Sequence, residues 1–248
     1  LYTLPNDPSS VFLVEGENGP EAVFEIQHSK ESNGWNWGWM PQGTEGNFGV
    51  IHHGIRGYSG PVYASGWSFN VPTQDLVDAF DSGDKRKNAS VLDIAAWADA
   101  NNAQYSEGYE HTGYFNNKYI PRSGYSKNTA ELNYENNYRY IRYADVLLMA
   151  AEANNRGGIS DSKAQTYLNE VRNRAGVSSI SATGSTLTQA IWDERRLEFA
   201  GEGHRFFDLV RTGQAANEIS GFISGQHEVF PIPQTEIDIS GLTQNPGY

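Results

Sequence analysis

The sequence predicts a mainly α fold that carries a large loop-rich insertion and a few short strands. Helical apolar periodicity dominates the chain after residue 138, whereas the preceding part is rich in Gly, Asn, Trp and Tyr and poorly periodic. Ser, Thr and Gly residues stand near the ends of the periodic stretches, where helices begin and end. One short alternation of apolar and polar residues near the N-terminus predicts a strand.

The elements of the first part are short. Residues 22–27 alternate apolar with polar side chains, which predicts a half-buried strand. Residues 31–70 contain many Gly and Pro residues and no periodic run, which indicates long ordered loops. Thr73 suits the N-cap of a short helix that Ser82 and Gly83 would end.

The second part begins with the strongest helical pattern, over residues 138–155, where apolar residues recur at spacings of three and four. Ser160 or Asp161 can cap a second helix, which ends at Ala175 before Gly176. These two helices predict an αα-hairpin that resembles a tetratricopeptide unit. One clear copy is present, whereas a solenoid needs about three.

Two shorter helices and an extended tail complete the prediction. A third helix follows Thr186, with Gln189 placed three positions later as in a capping box. A short helical segment covers residues 206–211. Residues 230–233 contain two prolines and are expected to be extended, because proline disfavours helical geometry in the residue before it.

The composition excludes several classes of function. The 248 residues carry 18 Lys and Arg against 30 Asp and Glu, a net charge of −12. This charge argues against binding to nucleic acid or an anionic membrane surface, since both require clustered cations. The absence of cysteine excludes thiol nucleophiles, thiolate metal sites and disulfides within the chain. The 6 Trp, 14 Tyr and 11 Phe residues form an aromatic surplus.

Five ordered segments of the second part resemble one known family. They are YIRYADVLLMAAEA at residues 140–153, LNEVRNRAG at 168–176, DERRLEFAGEGHRFFDLVR at 193–211, FPIPQTEI at 230–237 and TQNPGY at 243–248. On these motifs the chain is similar to the C-terminal part of SusD/RagB outer-membrane nutrient-binding lipoproteins. Weaker sequence matches before residue 138 extend the resemblance over most of the chain.

The resemblance implies a fold and a function. The fold would be the end of a tetratricopeptide-like α-α superhelix. The function would be non-catalytic capture of a glycan, or another nutrient such as peptide, at the extracellular face of the outer membrane. The ligand would pass to a SusC-like TonB-dependent transporter, and no cofactor is implied. Because the chain begins at Leu1 without a signal-peptide pattern, we expect the family's N-terminal half and lipid-modified cysteine to lie upstream.

The charged segment at residues 193–211 has two interpretations. Its carboxylates and histidine could act as acid/base groups. We favour ion pairs that hold helices together, because arginines alternate there with large apolar residues. The residues expected to have this structural role are Arg195, Arg196, His204, Arg205 and Asp208.

A metal site has little support in the sequence. His52 and His53 are adjacent, and on an extended segment they would point to opposite faces. No thiolate, H-x-x-x-H spacing or D-x-D-x-D-G loop is present. The many Asp and Asn residues leave calcium binding by oxygen ligands open.

The sharpest binding signal is a tryptophan segment in which Trp35, Trp37 and Trp39 alternate with Gly and Asn. If the segment is extended, the three rings face one side. Aromatic faces can stack on sugar rings, and Asn33 and Asn36 would supply uncharged hydrogen bonds. The alternative is a Trp-rich satellite core under a loop. Four further aromatic residues, expected to pack rather than bind, are Trp67, Trp97, Tyr105 and Tyr109.

These expectations assign different roles to two regions of one continuous domain. Residues 1–137 would form the loop-rich ligand-binding region, and residues 138–248 the helical scaffold. Two other functions stay open, a protein–protein scaffold built on the tetratricopeptide-like helices and a glycoside hydrolase. Thirty acidic residues make some carboxylate pair inevitable, so acidic composition alone does not favour a hydrolase.

Overall fold

A computed structural model of the chain describes residues 1–31, 45–126 and 133–248. The chain has two compact units, Leu1–Glu202 and Gly203–Tyr248. The change in composition at residue 138 lies inside the first unit. The assignment of a ligand-binding and a scaffold region on either side of it stays a prediction.

Helices make up most of the regular structure in the described part of the first unit, which confirms the predicted fold class. The helices are α1 (Gly49–His52), α2 (Gln74–Asp78), α3 (Lys85–Ser90), α4 (Ile94–Asn101), α5 (Tyr143–Arg156), α6 (Asp161–Ala175) and α7 (Gly184–Glu198). The strands are β1 (Ala22–Ile26), β2 (Val91–Asp93), β3 (Tyr114–Asn116) and β4 (Tyr138–Arg142), and two short 3₁₀ segments precede β1 (Pro8–Phe12 and Val14–Gly16).

Strand β1 lies where the alternation predicted it, and it pairs antiparallel with β4. The prediction that the long helix begins at residue 138 was wrong, because residues 138–142 form β4 and the helix starts at Tyr143. The segment contains tyrosines and a β-branched residue, which favour strands. Pairing with β1 satisfies its backbone groups, and the N–H of Tyr143 donates to the carbonyl of Glu21 at 2.8 Å.

Helices α5 and α6 form the predicted αα-hairpin, and α7 packs against both. The Ser160 hydroxyl accepts a hydrogen bond from the N–H of Lys163 at 3.2 Å, and Gly176 ends α6 with a φ of 81°. The shared core contains Ala144, Leu147, Leu148, Ala151, Ala164, Leu168, Val171, Leu187, Ile191 and Phe199. Each fully buried Leu or Ile contributes about 1.5–3 kcal/mol, so this core holds the three helices together.

Helix α7 begins at Gly184, so the capping box predicted from Thr186 was wrong. The side chain of Gln189 donates instead to Asp193 at 2.8 Å. The start of α7 is held from the neighbouring helix, since a carboxylate oxygen of Asp161 accepts the N–H of Gly184 at 2.7 Å. A partner distant in sequence therefore replaces the local cap.

The short helices of the first unit depend on side-chain caps. Thr73 caps α2 as predicted, through a hydrogen bond from the N–H of Leu76 at 3.3 Å. Helices α3 and α4 were not predicted, because their apolar periodicity is weak. Asp84 and Asp93 are their N-caps, and each carboxylate accepts a backbone N–H of the first turn. Strands β2 and β3 pair antiparallel beside them.

The second unit contains three short helices, α8 (Arg205–Arg211), α9 (Ala215–Glu218) and α10 (Gln234–Ser240). Helix α8 confirms the predicted helical segment, and residues 230–233 are non-helical as expected. Helix α10 directly follows Pro233 and was not predicted. Among the residues that the structure describes, no helix has the length and apolar character needed to cross a membrane.

Candidate functional site

The charged residues at the end of α7 belong to a buried ion-pair network. Glu198 lies 3.0 Å from a guanidinium nitrogen of Arg142, and Glu202 accepts from Nε of Arg142 at 2.8 Å and from Nζ of Lys118 at 2.6 Å. The network consists of the basic residues Arg86, Lys118, Arg142, Arg172 and Arg174 and the acidic residues Glu21, Asp84, Glu194, Glu198 and Glu202. Their formal charges cancel.

Burial and ion pairing compete in this network. Burial opposes the charge of Glu198 and Glu202, but the cations around them prevail and lower the pKa of both carboxyls. At Glu194 desolvation outweighs the attraction of its two arginines and raises the pKa. Burial likewise lowers the pKa of Lys118, against the attraction of Glu202. Neutrality of the network therefore depends on every member.

This geometry bears on the acid/base interpretation of residues 193–211. Glu194, Glu198 and Glu202 are only 1%, 3% and 3% exposed. Each carboxylate is bound to a basic side chain inside the protein, so it is closed to a substrate. The arrangement favours the structural interpretation.

Two of the arginines assigned a structural role lie in the first unit. The guanidinium of Arg195 is buried and donates to Asp145 at 2.7 Å. It also lies 4.9 Å from the ring centre of Phe199. Arg196 forms an ion pair with Asp75, whose side chain is 80% exposed. The first contact joins α7 to α5, whereas the second lies at the surface.

The other three residues of that group lie in the second unit. Arg205 donates to Glu218 at 3.2 Å, which joins α8 to α9. Asp208 accepts from Nε of Arg211 at 2.7 Å, and the carbonyl of His204 accepts the N–H of Asp208 at 3.0 Å. These contacts lie within or beside helix ends. A structural role for these residues stays a prediction.

The residues predicted to bind ligand, Asn33, Trp35, Asn36, Trp37 and Trp39, lie outside the described residues. The described chain leaves off at Glu31 and resumes at Glu45. At this junction the N–H of Ser29 donates to the carbonyl of Glu45 at 2.9 Å. Glu45 lies three residues before Phe48 in the chain.

Four aromatic side chains meet close to this junction and form what we call the aromatic platform: Phe48, His52, Trp67 and Phe69. The ring of His52 lies 4.7 Å from that of Trp67, 6.0 Å from that of Phe69 and 6.5 Å from that of Phe48. Phe48 and Phe69 are 49% and 54% exposed. The platform therefore presents apolar rings to solvent.

The backbone under the platform holds Phe69 in place. Ser68 and Asn70 on either side of it have left-handed φ angles of 61° and 52°, which non-glycine residues seldom adopt. The N–H groups of Trp67 and Phe69 donate to the carbonyls of Ile51 and His52 at 3.0 and 2.7 Å. Backbone held in such sparsely populated geometry is often found at functional sites.

The two segments below the platform touch backbone to backbone. A Cβ on Gly66 would lie 2.3 Å from Cα of Gly54, so any side chain there would force the segments apart. Arg56 closes the arrangement, since its guanidinium donates to the carbonyl of Trp67 at 2.7 Å and its N–H to the Ser68 hydroxyl at 3.0 Å. Glycine contact and arginine bonding together fix the platform's spacing.

The two adjacent histidines have different environments. They lie at the end of α1 and not on an extended segment as expected. Nδ1 of His52 is 3.1 Å from the carbonyl of Phe48, so that nitrogen carries the proton and Nε2 of a neutral ring is an acceptor. Burial, with a smaller contribution from His52, lowers the pKa of His53 to about 4. His53 is therefore neutral at pH 7.

The remaining aromatic candidates divide between packing and exposure. Trp97 donates to the Tyr58 hydroxyl at 2.9 Å and, like Tyr105, packs against a second core beneath α4. Tyr109 is 87% exposed, and Trp67 belongs to the platform. In the described parts of the chain, no group of three or more His, Asp or Glu side chains is placed to hold a metal ion.

Comparisons with known proteins identify the chain's relatives. A family model described as the SusD family matches residues 92–228. The chain is 29% identical over 220 residues to SusD-like protein P2 of Formosa agariphila, a match that covers 79% of this chain and 43% of that protein. It is 27% identical over 248 residues to SusD-like protein P38 of the same organism, which covers 85% and 43% respectively.

Solved structures that resemble this chain belong to the same family. A laminarin-binding SusD-like protein matches with a TM-score of 0.88 and 41% identity, over 100% of this chain and 54% of that chain. Surface glycan-binding protein A from Bacteroides thetaiotaomicron in complex with laminarihexaose matches with a TM-score of 0.83 and 33% identity, over 98% and 56%. The chain spans about half the length of these relatives.

Proposed function

Because the chain belongs to the SusD family, we propose that it is part of a non-catalytic cell-surface protein that binds a neutral glycan. The aromatic platform would be its binding surface, together with the tryptophan segment at residues 33–39. The bound glycan would be delivered to a SusC-like TonB-dependent transporter of the outer membrane. A lipid anchor outside these residues would hold the protein at the extracellular face.

The observation that carries this proposal is the exposure of two platform rings, those of Phe48 and Phe69. Large apolar rings that face water are costly unless they serve binding. The C–H faces of a sugar ring are apolar and can stack on them. Nε2 of His52 can accept a hydrogen bond from a sugar hydroxyl.

The chemistry of the relatives supports a glucan ligand. The two solved structures named above are a laminarin-binding protein and a complex with laminarihexaose. Laminarin and its hexasaccharide are therefore the first ligands to test. A neutral ligand also fits a chain with a net charge of −12, which would repel a polyanion.

The absence of catalysis is part of the proposal. Three carboxylates of residues 193–211, those of Glu194, Glu198 and Glu202, are neutralised inside the ion-pair network, where a glycosidic bond has no access. Hydrolysis by the chain would release reducing ends from laminarin, and this release would overturn the proposal. Failure to bind any polysaccharide, with retained binding to a protein partner, would support the scaffold alternative.

Isothermal titration of the chain with laminarihexaose tests the site directly. Phe69→Ala should weaken the affinity about tenfold, which corresponds to about 1.4 kcal/mol of lost stacking. Phe24→Ala is the matched control, because Phe24 is equally exposed at 54% but contacts Tyr140 in a different ring cluster. Equal losses in both variants, or no loss in Phe69→Ala, would exclude the platform as the site.

A further inference from the structure

The most exposed tyrosine of the described chain stands on a loop of residues 106–111. Tyr109 is 87% exposed. The next residue, Glu110, has a left-handed φ of 53°. The sequence suggested that Tyr109 would pack, and its exposure shows that it does not.

The loop is fixed at both ends while Tyr109 projects from its middle. The N–H of Ser106 donates to the carbonyl of Arg56 at 2.8 Å. On the other side, the ring of His111 lies 6.0 Å from the buried ring of Phe115. The Thr112 hydroxyl donates to the carbonyl of Pro72 at 2.7 Å. Anchoring at both ends limits the positions open to Tyr109.

The same loop touches the turn that carries the aromatic platform. A Cβ on Gly108 would lie 3.1 Å from Cβ of Ser68, the residue between Trp67 and Phe69. Gly108 precedes Tyr109, so this contact places Cα of Tyr109 within about 14 Å of Cα of Phe69. Arg56 bonds to both segments, since it donates to the Trp67 carbonyl and accepts from Ser106.

From this arrangement we infer that Tyr109 is a second, separate stacking contact for the same glycan, so that the site selects linear oligosaccharides over single sugars and disaccharides. This inference rests on the proposed function. The platform and Tyr109 come from different segments that meet at Ser68 and Gly108. As separate contacts they would be covered by different sugars of one linked chain, and a single sugar would reach only one of them.

The contribution of Tyr109 follows from effective concentration. A glycan already held on the platform has its remaining sugars close to Tyr109, so the second contact adds affinity without a second binding event. A ligand too short to reach gains nothing from it. Ligands long enough to reach Tyr109 should therefore bind more tightly than shorter ones.

The test compares two ligand lengths in three proteins. Affinities for laminarihexaose and for the disaccharide laminaribiose are measured by calorimetry and NMR titration in wild type, Tyr109→Ala and Phe69→Ala. Tyr109→Ala should weaken hexasaccharide binding about tenfold and leave disaccharide binding unchanged, whereas Phe69→Ala should weaken both. Tyr109→Phe should retain the wild-type affinities, because it keeps the ring. Thermal melting confirms that the exposed substitutions leave the fold intact.

The outcomes separate this inference from the function beneath it. If Tyr109→Ala lowers both affinities equally or neither, or if wild type binds both ligands with the same affinity, the inference is overturned and the glycan-binding proposal stands. If wild type binds neither laminarin nor laminarin oligosaccharides of any length, the proposed function is wrong, and this inference is wrong with it.

Discussion

The ion-pair network and the aromatic platform lie in the same compact unit, yet they place costly side chains in opposite environments. The network buries charges that prefer water, and the platform exposes rings that prefer the core. Each arrangement costs free energy, which another interaction must offset. In the network the offset comes from mutual neutralisation inside the protein, and at the platform we propose that it comes from a ligand.

The network and the platform also differ in the backbone geometry of the segments that carry their side chains. Five of the ten network residues extend from β4, α6 and α7, so the packing of these regular elements sets their positions. Two of the platform residues, Trp67 and Phe69, extend instead from a turn with left-handed residues and a glycine contact. Substitutions in the network should therefore change stability, and substitutions in the platform should change binding.

The largest expected effect is on stability. Glu198→Gln removes one negative charge among several buried cations, and we expect a loss of about 3–5 kcal/mol in the free energy of unfolding. Urea denaturation at pH 7 measures it. Asp75→Asn is the matched control, since it breaks the exposed pair with Arg196 and should cost less than about 1 kcal/mol. Equal costs would show that burial of the network contributes nothing.

The same network sets the response to acid. The pKa of Glu198 and Glu202 lies below the ordinary value of 4.5 in the folded state. The stability that these two carboxylates give to the folded state is fully present above pH 4.5. It is lost as the pH falls toward the folded pKa, because the unfolded chain takes up protons first. Wild type should therefore lose stability below about pH 4.5, and Glu198→Gln should lose less over this range.

A further prediction on pH dependence concerns the buried His53, the neighbour of His52 in the chain. His53 has a folded pKa of about 4 and an ordinary value of 6.5, so its stabilising effect is complete above pH 6.5 and is lost as the pH falls toward 4. This linkage predicts a loss of about 2 kcal/mol between pH 7 and pH 5. His53→Phe should remove most of that slope in urea titrations. An unchanged slope would mean that other groups cause it.

The α5–α6 hairpin could be predicted from sequence because its signals are local. Apolar spacing, the Ser160 cap and Gly176 all act within a few residues of one another. Strand β4 could not be predicted in this way, since its pairing partner β1 lies more than 100 residues earlier. The helix motif continues into the strand without a break in apolar content, and tertiary pairing decides the boundary.

The platform was missed for a related reason. Phe48, His52 and Phe69 show no pattern in the sequence, and Trp67 was expected to pack. The rings come together only because Gly54 and Gly66 let two segments touch and because Ser68 and Asn70 turn left-handed. The clustered glycines of residues 54–66 were the available signal, since glycine often marks a close backbone approach.

Another prediction compares the tryptophan segment with a tryptophan of the core. Trp37→Ala should weaken glycan binding about tenfold and leave the melting temperature nearly unchanged. Trp97→Ala should lower the melting temperature and leave the glycan affinity nearly unchanged, because Trp97 packs against a buried cluster and donates a hydrogen bond to Tyr58. Calorimetry and thermal melting on both variants give the comparison. A large loss of stability in Trp37→Ala would assign the segment to a satellite core.

The smallest expected effect tests whether the platform is rigid before the ligand arrives. Asn70 has a φ of 52°, a conformation that Asn tolerates and Gly adopts freely. Asn70→Gly should therefore change the free energy of unfolding by less than about 1 kcal/mol. It also loosens the unbound turn, so binding must then order Phe69 at an entropic cost, and the affinity for laminarihexaose should fall about two- to fourfold. Phe69→Ala removes the ring, whereas Asn70→Gly removes only its fixed position, so the ratio of the two losses separates contact from pre-organisation. An affinity equal to that of wild type would show that the platform adapts to its ligand and that the left-handed turn serves the fold alone.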